Sequence, residues 1–252
     1  MASDAAFKDH FSTQADAYAR YRPSYPPALF DWLAEVSPSR GCAWDCATGN
    51  GQAAVELARH FARVIATDAS EKQIRSAFAH PHVRYHVAPA ESPEIDDGSV
   101  DLVTVAQAIH WFDLPAFYRQ ADRVLRPGGI LAVWAYGLFH STPRADEIVR
   151  HLYTDIVGPY WPPDRAMIER GYADVHLPFE PVPAPPFQMR LDWSVDDLVG
   201  YLGTWSSTQA FKNDRGYDPV DQVRDDLVRA WEAGTRTATW DLIVKVARKP
   251  DG

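Results

Sequence analysis

Cysteine is nearly absent, with two residues in a chain of 252. Cys42 and Cys46 lie four positions apart in what reads as a strand, which separates their Cα atoms by roughly 13 Å at about 3.3 Å per residue. That span excludes a disulfide between them, and two thiols alone do not make a zinc site, so no metal is expected. Both are expected as small buried residues in a reducing compartment. No apolar run approaches the roughly 18 residues of a membrane span, and MASDAAFKDH has no apolar core of a secretion signal. The expectation is a cytoplasmic protein with no membrane partner. Positive charge is short as well: 25 Lys and Arg stand against 34 Asp and Glu, a formal net charge of −9, which disfavours nucleic acid as a partner. Glycine is sparse where a dinucleotide would need it. The stretch DCATGNGQ (45–52) has only Gly49 and Gly51, with Ala47 in place of a further glycine, so the G-x-G-x-x-G fingerprint is missing.

What is present is an ordinary globular composition, 46% apolar and 23% charged, which argues for a single folded domain over residues 1–252. Short apolar runs recur at 42–44, 63–67, 83–88, 100–106 and 130–136, each reading as a buried parallel strand. Helical spacing separates them, first at Ala54, Leu57, Ala58 and Phe61, later at Leu114, Phe117, Ala121 and Leu125. Ser70 and Gln73 form a potential capping box for the helix that stops before Pro81. This alternation predicts an α/β fold, a Rossmann-like open sheet of mostly parallel strands with helices on both faces. A last run, with Trp240, Leu242, Val244 and Val246 alternating, predicts a C-terminal antiparallel strand.

Residues 1–40 read as an N-terminal helical cap, with Phe7, Phe11, Tyr18 and Tyr21 on one helical face and RPSYPP ending that helix. Residues 41–140 read as the cofactor-binding core. Eight of the 20 prolines fall between Pro159 and Pro186, so 141–215 reads as an inserted lid or acceptor region. Residues 216–252 then supply a helix and the strand that completes the sheet.

Ligands of such sheets sit at the carboxyl ends of the strands, near the point where strand order reverses. The turn DCATGNGQ is there, with Asp45 at its mouth, and a carboxylate repels a diphosphate but tolerates an ammonium or sulfonium. Asp68 ends the second strand 23 residues later, where an acidic side chain accepts hydrogen bonds from a ribose. Together they suggest a nucleoside ligand without a diphosphate.

With these residues in view the chain resembles the class I S-adenosylmethionine-dependent methyltransferases. DCATGNGQ matches the family's first motif, ATDAS its acidic second-strand motif, APAESPEIDDGSVDLV its third and LRPGGILAV its fifth strand. YRPSYPP, AQAIHWFD and GYLGTWSSTQAF resemble the small-molecule subgroup that includes trans-aconitate methyltransferase-like proteins. The resemblance implies S-adenosyl-L-methionine as cofactor, with Gly49 admitting its methionine end and Asp68 holding its ribose diol. The expected cofactor contacts are Tyr18, Arg22, Asp45, Ala47, Gly49, Asp68, Ala69, Ala90, Glu91, Ala106 and Gln107. Two departures from the family stand out: Ala47 replaces a glycine, a difference of one methyl, and Pro89 replaces the acidic residue that contacts adenine in many relatives.

His110, after the fourth strand, is the candidate catalytic residue, a base for a hydroxyl or amine acceptor or a positioning group for a carboxylate. His110, Trp111, Trp134, Tyr136, Tyr201 and Trp205 are the candidate walls of an acceptor pocket, although aromatics at such spacing also build cores. The partner expected is a small molecule, and the chain itself a monomer or homodimer. Two other readings stay open: a nucleotide-dependent oxidoreductase on the same fold, and a non-catalytic S-adenosylmethionine-binding protein.

Overall fold

A computed structural model describes residues 21–232 and 234–251. The face formed by Phe7, Phe11 and Tyr18 lies outside the described residues. The chain forms two compact units, the larger of Tyr25–Gly137, Ala166–Gln188 and Asp241–Gly252, the smaller of residues up to Ser24 with Leu138–Arg165 and Met189–Trp240.

The larger unit is built on the sheet that the apolar runs predict. Its strands are β1 (Cys42–Cys46), β2 (Arg63–Asp68), β3 (Val83–Val87), β4 (Val100–Ala106), β5 (Leu125–Tyr136), β6 (Glu180–Pro181) and the greater part of β8 (Arg236–Arg248), in the order β3-β2-β1-β4-β5-β8-β6. β1 to β5 run parallel, and β8 is antiparallel to β5 and β6. β1 is buried at every residue and β4 at all but its last, which is why both read as continuous apolar runs without alternation. β5 starts at Leu125, earlier than the apolar run ILAVWAY indicates, because Val100 pairs with Leu125 across a register shift before Leu102 takes up Ile130.

One face of the sheet carries Trp44, Cys46, Val103, Val105, Leu131 and Val133. The helix α4 (Leu114–Val124) packs Phe117, Ala121 and Val124 against them. Asp113 caps that helix by accepting from the Ala116 N–H at 3.1 Å. On the other face lie α1 (Pro27–Val36) and α2 (Gln52–Leu57), and Phe30 of α1 meets Trp134 edge-on at 6.1 Å. A short α3 (Glu71–Arg75) follows β2, with Ser70 Oγ accepting from Gln73 N–H as expected of its cap. Cys42 and Cys46 are free and buried, as expected from their spacing. Beneath the sheet the fully buried Asp101 accepts from Ser39 Oγ, the Gly41 and Cys42 N–H groups and Arg126, so its charge has four donors.

The smaller unit holds α5 (Pro143–His151), which runs on into a wider turn over Leu152–Ile156, and then most of β7 (Gln188–Trp193), α7 (Val195–Gly203), α8 (Ser206–Arg215) and α9 (Arg224–Trp231). α6 (Arg165–Glu169) lies on the chain between the units' segments, and 166–188, most of the proline-rich stretch, groups with the sheet. Ser194 and Asp197 close a capping box on α7. The core of this unit is aromatic: Phe139, Trp193, Tyr201 and Trp240 have ring centroids 4.9 to 6.0 Å apart. Among the described residues no helix is long and apolar enough to cross a membrane.

Candidate active site

The turn after β1 is rich in left-handed backbone. Ala47 (φ 54°), Gly49 (φ 58°) and Gly51 (φ 85°) all adopt left-handed conformations. For the glycines this is free; for Ala47 it costs about 1–2 kcal/mol. The alanine that looks a mild replacement in the sequence is therefore a strained residue, held by what surrounds it. Gly51 is doubly constrained, since a Cβ there would sit 2.2 Å from the Tyr85 hydroxyl, itself anchored by donating to the Phe78 carbonyl at 2.8 Å.

Asp45 holds that turn from inside. It is fully buried, accepts from Thr48 Oγ at 2.5 Å and Thr104 Oγ at 2.7 Å, and takes the Ala54 N–H in the first turn of α2. Burial pushes its carboxyl up to about 6, against the lowering effect of those three donors. Its observed contacts are thus those of a cap and a strut between β1, β4 and α2, with no exposed oxygen at the mouth. Asp68, by contrast, is half-buried at the end of β2. Its Oδ2 accepts from Gly49 N–H at 2.9 Å and its Oδ1 from Ser70 N–H at 2.8 Å. Each oxygen keeps a lone pair for a further donor.

Around this rim the other expected cofactor residues differ. Ala69 is exposed and Ala90 buried, while Glu91 Oε1 accepts from Asp113 N–H at 3.0 Å and so ties the third motif to α4. A cavity of about 330 Å³ opens beside Ile65, Thr67, His86, Ala88, Pro89 and Ser92, with His86 and Ser92 as polar groups next to the departure at Pro89. At the end of β4, beside β1 in the sheet, Gln107 is also left-handed (φ 56°). Its N–H donates to the Trp134 carbonyl at 2.9 Å and its Nε2 to the Tyr136 carbonyl at 3.1 Å. Ala106 is partly exposed at the same edge. Left-handed non-glycine residues thus end both β1 and β4, the strands where chain order reverses, and such strain is concentrated at functional sites.

His110 sits in a single 3₁₀ turn, Ile109–Trp111. Its Nδ1 lies 3.1 Å from the hydroxyl of Tyr172, a fully buried residue with φ 55°. Trp111 lies tilted beside the imidazole, centroids 4.6 Å apart, and is 66% exposed, a large apolar surface left open. Trp134 is fully buried against Tyr25 (5.5 Å) and Phe30, and Tyr136 is 6.4 Å from Tyr25, so both line the inside of the sheet's α1 face. In the smaller unit Tyr201 and Trp205 are buried with centroids 5.9 Å apart, and the Arg22 guanidinium lies over the Tyr201 ring at 5.5 Å, donating to the Thr204 carbonyl. Tyr18 lies outside the described residues. The sequence reading missed Thr48, Thr104, Tyr85 and Tyr172; no spacing rule signals a partner found 59 or 62 residues away.

Residues 44–133, from β1 to β5, match the methyltransferase domain family. A protein of Dictyostelium discoideum named as a methyltransferase is 35% identical over 230 residues, 90% of this chain and 88% of its own. The solved structure of a protein assigned as a type II methyltransferase from Anaeromyxobacter dehalogenans is 43% identical, covering 91% of this chain and 99% of that one with a TM-score of 0.86. The chain belongs to the class I S-adenosylmethionine-dependent methyltransferases. This membership decides against the oxidoreductase, and the methyl donor of this methyltransferase is S-adenosylmethionine. The residues present fit that donor. Among the described residues, chain neighbours aside, no heavy atom lies within 4 Å of where a Cβ on Gly49 would stand, so the rim is open at that point, and the oxygens of Asp68 have capacity for a diol.

Proposed function

We propose that this methyltransferase acts on a small organic acceptor bearing a carboxylate, and that Asp68, Gly49 and the ends of β1 and β4 hold the cofactor. Bound there, S-adenosylmethionine would supply a methyl group on a sulfonium: an acceptor lone pair would bond to the methyl carbon in line, and the C–S bonding pair would leave with sulfur as the neutral thioether. A carboxylate oxygen is already ionised at neutral pH and needs no base. His110, held by Tyr172 through Nδ1, then has the role of orienting the acceptor, and Trp111 that of shielding it from water.

The observation that carries the reading is the setting of Arg22. A guanidinium stacked on Tyr201, within an aromatic cluster that includes Trp205, is a combination suited to a small anion with an apolar body. The net charge of −9 weighs against a polyanionic substrate. Two free buried thiols are in keeping with a reducing, cytoplasmic setting.

Incubation with S-adenosylmethionine and parallel sets of carboxylic acids, alcohols and amines tests the proposal through release of S-adenosylhomocysteine. The expected product is a methyl ester, cleaved by mild alkali. Transfer to amines or alcohols alone would refute the carboxylate.

A further inference from the structure

The start of α8 has an unusual set of unpaired donors. Trp205 is its N-cap and provides no side-chain cap. Gln209 N–H is bonded to the Trp205 carbonyl, so the three preceding N–H groups, on Ser206, Ser207 and Thr208, are the donors that a helix leaves open at this end. Among the described residues, the hydroxyls of Ser207 and Thr208 are also without a hydrogen-bond partner, although both residues are fully buried. Buried hydroxyls left this way cost stability, and in native proteins they call for an explanation. Side chains of a helix lean towards its N-terminus, so these two hydroxyls lean to the same end as the open N–H groups.

The neighbourhood completes an anion site. Arg22 donates to the carbonyl of Thr204, the residue just before the N-cap, so its guanidinium is fixed within one residue of the helix end. Tyr201 and Trp205 wall it, and Trp205 packs on Tyr153 and Trp161 at 5.6 and 5.7 Å. A helix N-terminus, two buried hydroxyls and a guanidinium are all donors, and the ligand they suit is a carboxylate.

We infer that the first turn of α8 and Arg22 form a carboxylate-binding subsite in which Ser207 and Thr208 donate from their hydroxyls. The inference deepens the carboxylate-acceptor reading and rests on it for the identity of the acceptor. The same chemistry is offered by the amino-acid end of the cofactor, so the test separates the two sources.

The test uses the full-length protein with Ser207→Ala and Thr208→Val combined, and Arg22→Gln separately. Melting temperature is read without ligand, and calorimetry is run with S-adenosylhomocysteine and with 5′-methylthioadenosine, which lacks the amino-acid end. Succinate and cinnamate are titrated against the protein saturated with S-adenosylhomocysteine. The hydroxyl-free variant is expected to melt no lower than the parent, because it sheds unpaired groups, and to lose affinity for one carboxylate by about tenfold or more, the effect of a lost hydrogen bond to a charged group. Weaker S-adenosylhomocysteine with unchanged 5′-methylthioadenosine assigns the site to the cofactor. Unchanged S-adenosylhomocysteine with weaker succinate or cinnamate assigns it to the acceptor. A lower melting temperature without ligand shows that the hydroxyls serve the fold, and unchanged affinity for every ligand in both variants shows that nothing binds there; either result overturns the inference. Failure of all carboxylic acids to be methylated refutes the acceptor reading alone, since the S-adenosylhomocysteine comparison still decides the subsite.

Discussion

Asp68 and Gly49 are joined across the sheet's carboxyl edge: the carboxylate that ends β2 accepts the N–H of the glycine in the turn after β1, at 2.9 Å. One side chain therefore shapes the glycine turn and faces the ligand that the turn is proposed to hold. Replacing Asp68 with Ala is expected to weaken S-adenosylhomocysteine binding by about 1.5–3 kcal/mol, the range for hydrogen bonds to a charged group. Calorimetry on the folded variant measures this, and an unchanged dissociation constant would remove Asp68 from the site.

Asp45 predicts a pH dependence of stability. Its folded pKa of about 6 lies above the ordinary carboxyl value of 3.8, so between these values the folded state binds more protons than the unfolded one. Stability from this group is therefore highest below about pH 4 and is lost as pH rises through 6, by about 3 kcal/mol in all at 1.36 kcal/mol per pKa unit. Asp45→Asn lacks this slope. Denaturant melts of both proteins from pH 4 to 7.5 should show a difference that changes across that window; a constant difference would mean that Asp45 titrates as an ordinary carboxyl.

Gly51→Ala meets two obstacles, the left-handed backbone and the anchored Tyr85 hydroxyl. The first costs about 1–2 kcal/mol and the second, as overpacking, about 1–3. Adding Tyr85→Ala to Gly51→Ala should remove only the second penalty, so a double-mutant cycle should give a clear interaction energy. Strict additivity would show that Tyr85 swings aside at no cost.

His110→Ala separates base from positioning group. With a carboxylate acceptor the variant should keep its affinity for S-adenosylhomocysteine, turn over by less than about 10²-fold slower, and show no change in the shape of its pH–rate profile. Tyr172→Phe should move kcat in the same direction through the imidazole's orientation. A parent profile that rises through neutrality and loses that limb in His110→Ala would make the histidine a general base.

These residues also mark what a sequence conveys. β1 and β4 were legible because strands buried on both faces are largely apolar, and Asp68 because a strand end after ATD has few places to put a carboxylate. Asp45 read as lying at a mouth, since its neighbours in sequence are a turn; its burial depends on Thr104, which a parallel pairing brings alongside from 59 residues away. Ala47 gave no sign of its left-handed backbone, because alanine ordinarily avoids that region. Trp134 and Tyr136 looked like pocket walls from their place at a strand end, but the side of the sheet they face is set by α1, whose docking no local pattern encodes. Tyr172, within a proline-rich stretch without periodicity, gave no signal at all.

The antiparallel pairing of β5 with β8 has a consequence for biosynthesis. Leu131 waits for Ala247, and Tyr136 for Leu242, so more than a hundred residues must leave the ribosome before β5 gains its second neighbour. Domains fold from the N-terminal side as they emerge, at roughly 5–20 residues per second. For several seconds any sheet formed from β1 to β5 would lack its β8 neighbour, and open edges are templates for pairing with other chains. Ribosome-bound chains stalled with β5 clear of the exit tunnel but β8 not yet emerged should be the form most readily captured by chaperones, and those with β8 fully emerged the least.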